Sequence, residues 1–506
     1  METSVAESFR NGIVLITGCT GFLGKILTEK LLRSCPVKNV VVLVRRKKEL
    51  NANQRVANIY KQKLFDRIRL EKPNFTKYIK VIEGNLEELS LGLSLNDLEW
   101  IVDNVNFVFH CAATIKFNEP LDLASKINIQ GTENLLALAS KMKNLKGFVH
   151  VSTAYSHCPR NEIKEEFYKV PVTFTELKNK LVDNVPTSNI IEDWPNTYTF
   201  TKAVTENMIL TNENRLPISI FRPSIIACTK SEPEPGWIEN INGPTGLFSG
   251  VMVGFLRTAP NIGSNITDII PADYTVNALI SVMWDTVNRH KQSNGVPLEE
   301  PKIYNYVSSV ESPLTWGRYI REMHDQYYVA PPLQSMWYGF YIFYTNSTVG
   351  SILRFFLHRI PGAFMDLMLI LSGKSPKMLR MYSKSESLID LLSEFSMRQW
   401  MFDNRNIREL WQLLSEDDKN EFRFSLKAFD WKSYLETYYH GIRKHILKED
   451  ISNVEKALSK NYKNGTVFVT GSIGFLGKLL TEKLLRSCSL KTIALFVKIK
   501  DSIQVK

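Results

Sequence analysis

Short apolar runs recur along the first half of the chain, each followed by a stretch with helical spacing. "GIVLIT", ending at Thr17, is rich in β-branched residues and predicts a buried strand. After a glycine turn comes "FLGKILTEKLLRSC", whose Leu23, Ile26, Leu27 and Leu31 recur at helical spacing. "NVVVLVRR", "YIKVIEG", "FVFHCAA", "GFVHVST" and "ISIFRPS" predict further buried strands, and "KIYNYVSS" a late one. "ASKINIQGTENLLALASKM" and "TFTKAVTENMIL" predict helices between them. Strands that alternate with helices give an α/β class, a doubly wound parallel sheet. The turn-rich "GWIENINGPTG", Gly236–Gly246, predicts a loop over the carboxyl edge of that sheet. Beyond about Leu314 the pattern turns helical, aromatic and basic up to "GIRKHILKED", which predicts a mostly α-helical C-terminal domain.

One stretch departs from both patterns. Pro331–Leu353 carries no charge, is rich in aromatics and is long enough to span a bilayer. Its Gln334, Ser335, Thr345, Asn346, Ser347, Thr348 and Ser351 dilute it, and Arg354, His358 and Arg359 follow before "IPGAFMDLMLIL". An apolar, aromatic surface flanked by bases suits a membrane interface better than a clean span; the alternative is a helical core.

The chain has 506 residues, 44% of them hydrophobic and 23% charged, enough for more than one buried core. Its net charge of +11 favours anionic partners such as phosphorylated cofactors or anionic lipid. No basic stripe is interleaved with stacking aromatics, so nucleic acid is not an expected partner. Cys19, Cys35, Cys111, Cys158, Cys228 and Cys488 form no CxxC pair and no zinc-spaced cluster; they read as free thiols in a reducing compartment, and no metal site is expected. "METSVAESFR" lacks an apolar core, so the protein is not expected to be secreted.

Two constellations carry chemistry. Gly18, Gly21 and Gly24, in "TGCTGFLG", join a buried strand to an amphipathic helix. Glycine permits the tight turn, and the helix N-terminus offers N–H groups to a pyrophosphate. The next strand ends in Arg45 and Arg46 where an NAD site usually has an acid, which favours the 2′-phosphate of NADPH. In the second constellation, Tyr198 and Lys202 are four apart on one helix face. An ammonium beside a phenol lowers its pKa, and such a tyrosine can protonate a carbonyl oxygen as hydride arrives. Ser152 and Thr153 end a strand and offer a hydroxyl to the same carbonyl, and Asn128 is expected to support Lys202 through a water.

With these residues the sequence resembles the extended short-chain dehydrogenase/reductases, and more closely the alcohol-forming fatty acyl-CoA reductases of animals, most of all the insect ones. The carriers of the resemblance are "TGCTGFLGK", "VFHCAATIKFNEPL", "HVSTAYSHC", "PNTYTFTKAVTE", "FRPSII" and "EPGWIENINGPTG", then "FLHRIPGAFMD" and "FDWKSYLETYYHGIRKHIL". It covers roughly residues 8–450. It implies an NADP-binding Rossmann-type domain over 8–310, a helical domain over 311–450, and NADPH-dependent reduction of long-chain fatty acyl-CoA through an aldehyde to a fatty alcohol. In that reading Thr153, with Ser152 beside it, positions the carbonyl, Tyr198 is the acid and Lys202 tunes it. Thr17, Gly18, Thr20, Gly21, Phe22, Leu23, Gly24, Arg45, Arg46, Asn85, Leu86, Ala112, Ala113, Thr114, Lys202 and Pro223 would meet the cofactor. The helical part would meet the acyl chain and a membrane surface, at the endoplasmic reticulum or the peroxisome. A two-electron reductase that stops at the aldehyde and a silent lipid-binding homologue are the rival readings.

The chain departs from the resemblance in three places. Gly84-Asn85 stands where such folds usually have Gly-Asp, Arg46 replaces a usual proline, and a hydrophobic tail is missing. In the tail's place the chain begins its own sequence again: Asn464–Cys488 matches Asn11–Cys35 at about three positions in four. Gly471, Gly474 and Gly477 keep the glycine spacing, while Lys498 and Ile499 replace the two arginines. No catalytic strand, tyrosine or lysine follows, so residues 464–500 read as a truncated, non-functional βαβ unit. A gene-model fusion and a docking tail are the alternatives for its origin and use.

Overall fold

In the computed structural model, the described residues are 4–47, 49–212, 216–293, 300–337, 339–450, 466–470, 480–482, 484–485 and 492–496. The apolar runs form strands β1 (Ile13–Thr17), β2 (Asn39–Val44), β3 (Ile79–Glu83), β4 (Phe107–His110), β5 (Gly147–Val151), β6 (Ile218–Pro223) and β7 (Lys302–Tyr306). They make one parallel sheet in the order β7-β6-β5-β4-β1-β2-β3. The order reverses between β1 and β4, and in such sheets ligands bind where the carboxyl ends part. Nearly every residue of β1, β2, β4, β5 and β6 is buried, as a strand covered on both faces requires.

Helices α1 (Phe22–Ser34), α2 (Gly131–Ala139), α3 (Thr197–Leu210) and α4 (Ala272–Gln292) cover the sheet. A π-helical turn, Lys126–Gln130, leads into α2 and carries Asn128. Asn196 caps α3 by accepting from the Thr199 N–H at 2.9 Å. The expected loop at Gly236–Gly246 is shorter than the sequence suggests, because Pro244 opens a helix that runs to Met252.

Pro331–Leu353 is not a continuous helix. It contains a strand, Ile342–Tyr344, paired in parallel with Thr258–Pro260, and then the start of α5 (Ser347–Arg354). Asn346 caps α5, and that is why the uncharged run breaks. A π turn, Phe355–Arg359, leads into α6 (Ile360–Leu371), which packs on α7 (Met378–Leu392). Asp366, the one carboxylate of α6, accepts from the N–H groups of Lys377, Met378 and Leu379 at 2.7 to 3.0 Å and so caps α7. No helix among the described residues is long and apolar enough to cross a membrane.

α8 (Trp431–Gly441) closes the first of two compact units, Met1–Ile442; the second is Arg443–Lys506. Gly236 (φ +72°) lies against α8 so closely that a Cβ there would meet the Thr437 carbonyl oxygen at 2.7 Å. In the second unit, β8 (Thr466–Thr470) pairs in parallel with β9 (Thr492–Phe496). The pairing Thr466↔Thr492 repeats the register Ile13↔Asn39 of the first copy. Gly471, Gly474, Gly477, Lys498 and Ile499 lie outside the described residues, as does Cys488. The other five cysteines are free thiols.

Candidate active site

β1 ends at Thr17 and the chain turns at Gly18 (φ +74°) into α1. A Cβ on Gly18 would meet the Ala112 nitrogen at 2.7 Å, so the turn presses against the loop after β4. Gly24 presses in turn on the Gly18 and Cys19 backbone. Gly21 is freer: its nearest obstacle is the Gly18 carbonyl oxygen at 3.2 Å, and it serves as the N-cap of α1. Thr20, Gly21, Phe22 and Leu23 form the open side of the turn, half-buried or exposed. The Thr17 hydroxyl is buried and taken up by His110 Nδ1 at 2.6 Å.

The loop after β6 covers this turn. Phe22 stacks on Trp237 at 5.2 Å and 10°, and Lys25 pairs with Glu239 at 2.5 Å. Arg45 and Arg46 stand at the end of β2, largely exposed, against Glu87 (3.2 Å) and Glu83 (3.3 Å). Asn85 closes a local turn: its Oδ1 accepts from the Glu87 N–H and its Nδ2 donates to Glu88. The Leu86 carbonyl accepts from Asn134, and Pro223 accepts from the Ala154 N–H. Ala112, Ala113 and Thr114 line the crevice between β1 and β4, half-buried.

A dinucleotide fits these residues. The close-packed glycine turn opens a helix N-terminus, and the strand beside it ends in two exposed guanidinium groups rather than an acid.

One crevice wall is β5 and α3. The Thr153 hydroxyl lies beside the Tyr198 phenol and favours its ionised form. Burial outweighs this and pushes the phenol up to about 12. Lys202 donates to the Val151 carbonyl at 2.7 Å, and burial pushes it down to about 8 against the pull of Glu206 and Cys111. The expected lowering of Tyr198 by Lys202 therefore differs from the structure. Lys202 is held at the strand end, and desolvation is the largest influence on the resting phenol.

Asn128 makes direct bonds of its own. It braces the Thr114 backbone, accepting from its N–H at 2.8 Å, and donates to Thr201 Oγ1 at 3.0 Å. Ser152 points away from Thr153, as neighbours in extended chain must, and donates to Glu206.

Several site residues were silent in the sequence. Phe117 stacks on Tyr198 at 5.7 Å, and Phe395, from the helical region, lies 5.5 Å from Phe117 and 5.0 Å from Tyr155. Glu206 had a signal: it continues the helix face of Tyr198 and Lys202 at the same four-residue step. His110 and His150 lie side by side behind Lys202, and burial keeps both neutral, His110 down at about 3. No cluster that could hold a metal occurs among the described residues.

A family model described as "Male sterility protein" matches residues 16–279 and again 469–506, and a second model of the same description matches 357–449. The chain is 36% identical to "Fatty acyl-CoA reductase wat" of Drosophila melanogaster, over 91% of this chain and 89% of that one. It is 37% identical to "Fatty acyl-CoA reductase 1" of Xenopus laevis, over 90% and 88%, and 36% identical to the Homo sapiens protein of that name, again over 90% and 88%. Among solved structures, the reductase domain of a non-ribosomal peptide synthetase from Mycobacterium tuberculosis has the same fold, with a TM-score of 0.59 at 17% identity over 88% of this chain and 94% of that one. On the glycine turn, the Thr153–Tyr198–Lys202 wall and these likenesses along nearly the whole chain, the protein belongs to the fatty acyl-CoA reductase family.

Proposed function

We propose that this crevice reduces long-chain fatty acyl-CoA to a fatty alcohol and CoA, through an aldehyde, with Tyr198 as the proton donor in both halves. The observation that carries the reading is that the Thr153 hydroxyl and the Tyr198 phenol lie side by side at the carboxyl end of β5, across the crevice from the Gly18 turn. The turn and the first residues of α1 would hold the pyrophosphate of NADPH, and Arg45 and Arg46 its 2′-phosphate. Bound NADPH supplies the hydride.

The chain's own residues handle the proton. The Thr153 and Tyr198 hydroxyls converge on one point and fix the substrate carbonyl oxygen there. Tyr198 is protonated at all working pH values, so it protonates that oxygen as negative charge develops. The Lys202 ammonium stabilises the phenolate left behind. When the hydroxyl of the reduced thioester gives its proton back, the carbon–sulfur bond breaks, CoA leaves as the thiol after taking up a proton, and the aldehyde carbonyl forms against the same two hydroxyls. Tyr198 then protonates the aldehyde oxygen in the second reduction. The Phe117–Phe395–Tyr155 wall excludes water from this point.

The acyl chain would arrive from an intracellular membrane surface, at the endoplasmic reticulum or the peroxisome. The support is α6: Ile360, Phe364, Leu367, Met368, Ile370 and Leu371 are all exposed, Leu371 at 74%. Exposed Arg359, Lys374, Lys377 and Arg380 flank this face. Apolar area beside bases fits the interface of an anionic bilayer.

The test is NADPH oxidation by purified protein with palmitoyl-CoA, with gas chromatography of the lipid. Hexadecanol at two NADPH per CoA, lost in Tyr198→Phe, is expected. Aldehyde at one NADPH would replace the reading with a two-electron reductase. No turnover with cofactor bound would make the protein a lipid binder.

A further inference from the structure

Behind the reacting face lies a buried ionic cluster that the proton chemistry above does not use. Glu206, 1% exposed, accepts from Ser152 Oγ. It also accepts from Arg222, Nε to Oε1 at 3.0 Å and Nη2 to Oε2 at 2.5 Å, and His157 Nε2 lies 3.0 Å from Oε2. Arg222 is fully buried in β6 and donates onward to the carbonyls of Lys164 and Glu166. A buried carboxylate with this many partners is expensive to assemble unless its geometry matters.

The position of Glu206 is informative. It stands one helical turn beyond Lys202 and two beyond Tyr198, so a single face of α3 carries all three. Its partner Ser152 is the residue between Val151, which accepts from Lys202, and Thr153, which lies beside Tyr198. Strand end and helix thus meet at three successive residues, and two of the meetings are hydrogen bonds: Lys202 to Val151 and Ser152 to Glu206.

We propose that Glu206 is a positioning residue of the reduction, which locks the β5 end to α3 through Ser152 and places a buried carboxylate one helical turn from Lys202. This rests on the reductase reading above. The other titratable groups around Lys202 are His110 and Cys111 after β4, His150 in β5, and Tyr198 on its own helix. Burial keeps His110 and His150 neutral and the Cys111 thiol protonated, so none of them can replace Glu206 as a counter-charge. Arg222 and His157 complete the shell on the far side of Glu206, and they keep it ionised although burial alone would raise it.

The test compares pH profiles of acyl-CoA reduction in wild-type protein and Glu206→Gln, with NADPH binding measured by fluorescence. The expected result is a kcat alkaline limb moved down by about one pH unit, with NADPH affinity unchanged. Glu206→Asp, which keeps the charge, is expected to restore the limb. Because Glu206→Gln leaves Arg222 buried without a counter-charge, the double variant Glu206→Gln/Arg222→Met is made as well; it removes both charges and is expected to move the limb in the same direction by a smaller amount. A folded Glu206→Gln variant with the wild-type limb would overturn the proposal and leave Glu206 a packing residue. Wild-type protein without turnover would instead overturn the reductase reading, which the same experiment therefore separates.

Discussion

Lys202 donates to the Val151 carbonyl at 2.7 Å, two residues before the Thr153 that lies beside the Tyr198 phenol. Helix and strand end therefore share a proton donor below the reacting carbonyl and an acid beside it. The two groups titrate far apart: Tyr198 stays protonated up to about 12, while Lys202 loses its proton through about 8. Deprotonation of Lys202 removes the charge that stabilises the phenolate, so kcat is expected to be level below that value and to fall above it, about tenfold per unit. A pH series of kcat checks this, and a rate that holds well past it would remove Lys202 from the chemistry.

The two hydroxyls at the end of β5 are expected to behave differently. Thr153→Val keeps the shape and removes the oxygen that aligns the carbonyl; kcat is expected to fall by about 10²-fold with NADPH binding intact. Ser152→Ala deletes a hydrogen bond to a buried carboxylate and is expected to cost about 1.5–3 kcal/mol of stability, read as a lower denaturant midpoint. Equal kinetic losses would contradict the opposite orientations of the two side chains.

Gly18→Ala puts a Cβ on a left-handed residue and against the Ala112 nitrogen. The expected outcome is loss of NADPH binding and a destabilisation of about 1–3 kcal/mol. Titration of the variant with NADPH, alongside its melting curve, checks both.

Arg45 and Arg46 make only exposed ion pairs, which contribute little to stability. Replacing both with Ala is expected to leave the melting temperature unchanged and to raise the KM for NADPH by about 10-fold or more, with NADH unaffected. An equal effect on both cofactors would detach the arginines from the 2′-phosphate.

The parallel sheet was legible because its strands are buried on both faces, so "GIVLIT" and "GFVHVST" read as unbroken apolar runs. The Tyr198/Lys202 pair was legible because its spacing is local. Phe395 was not: it reaches Phe117 and Tyr155 from the far end of the chain, and no local pattern encodes such a contact. The direction of the Tyr198 shift was misread for a similar reason. Spacing says that a lysine is near, but not that a strand carbonyl has claimed it. Pro331–Leu353 read as an uncharged stretch diluted by polar residues, and one of those, Asn346, together with the pairing of Ile342–Tyr344, divides it.

The repeated register of β8 and β9 has a consequence for how the chain folds. In the first sheet β1 is bonded on both edges, by β2 and β4. β8 keeps the valine and the final threonine of β1, as Val467 and Thr470, and the same partner register on one side, but among the described residues no strand covers its other edge. An uncovered strand edge can pair with a neighbouring chain during folding. Refolding yield is expected to drop as protein concentration rises, and removal of residues 464–506 is expected to restore it with kcat unchanged.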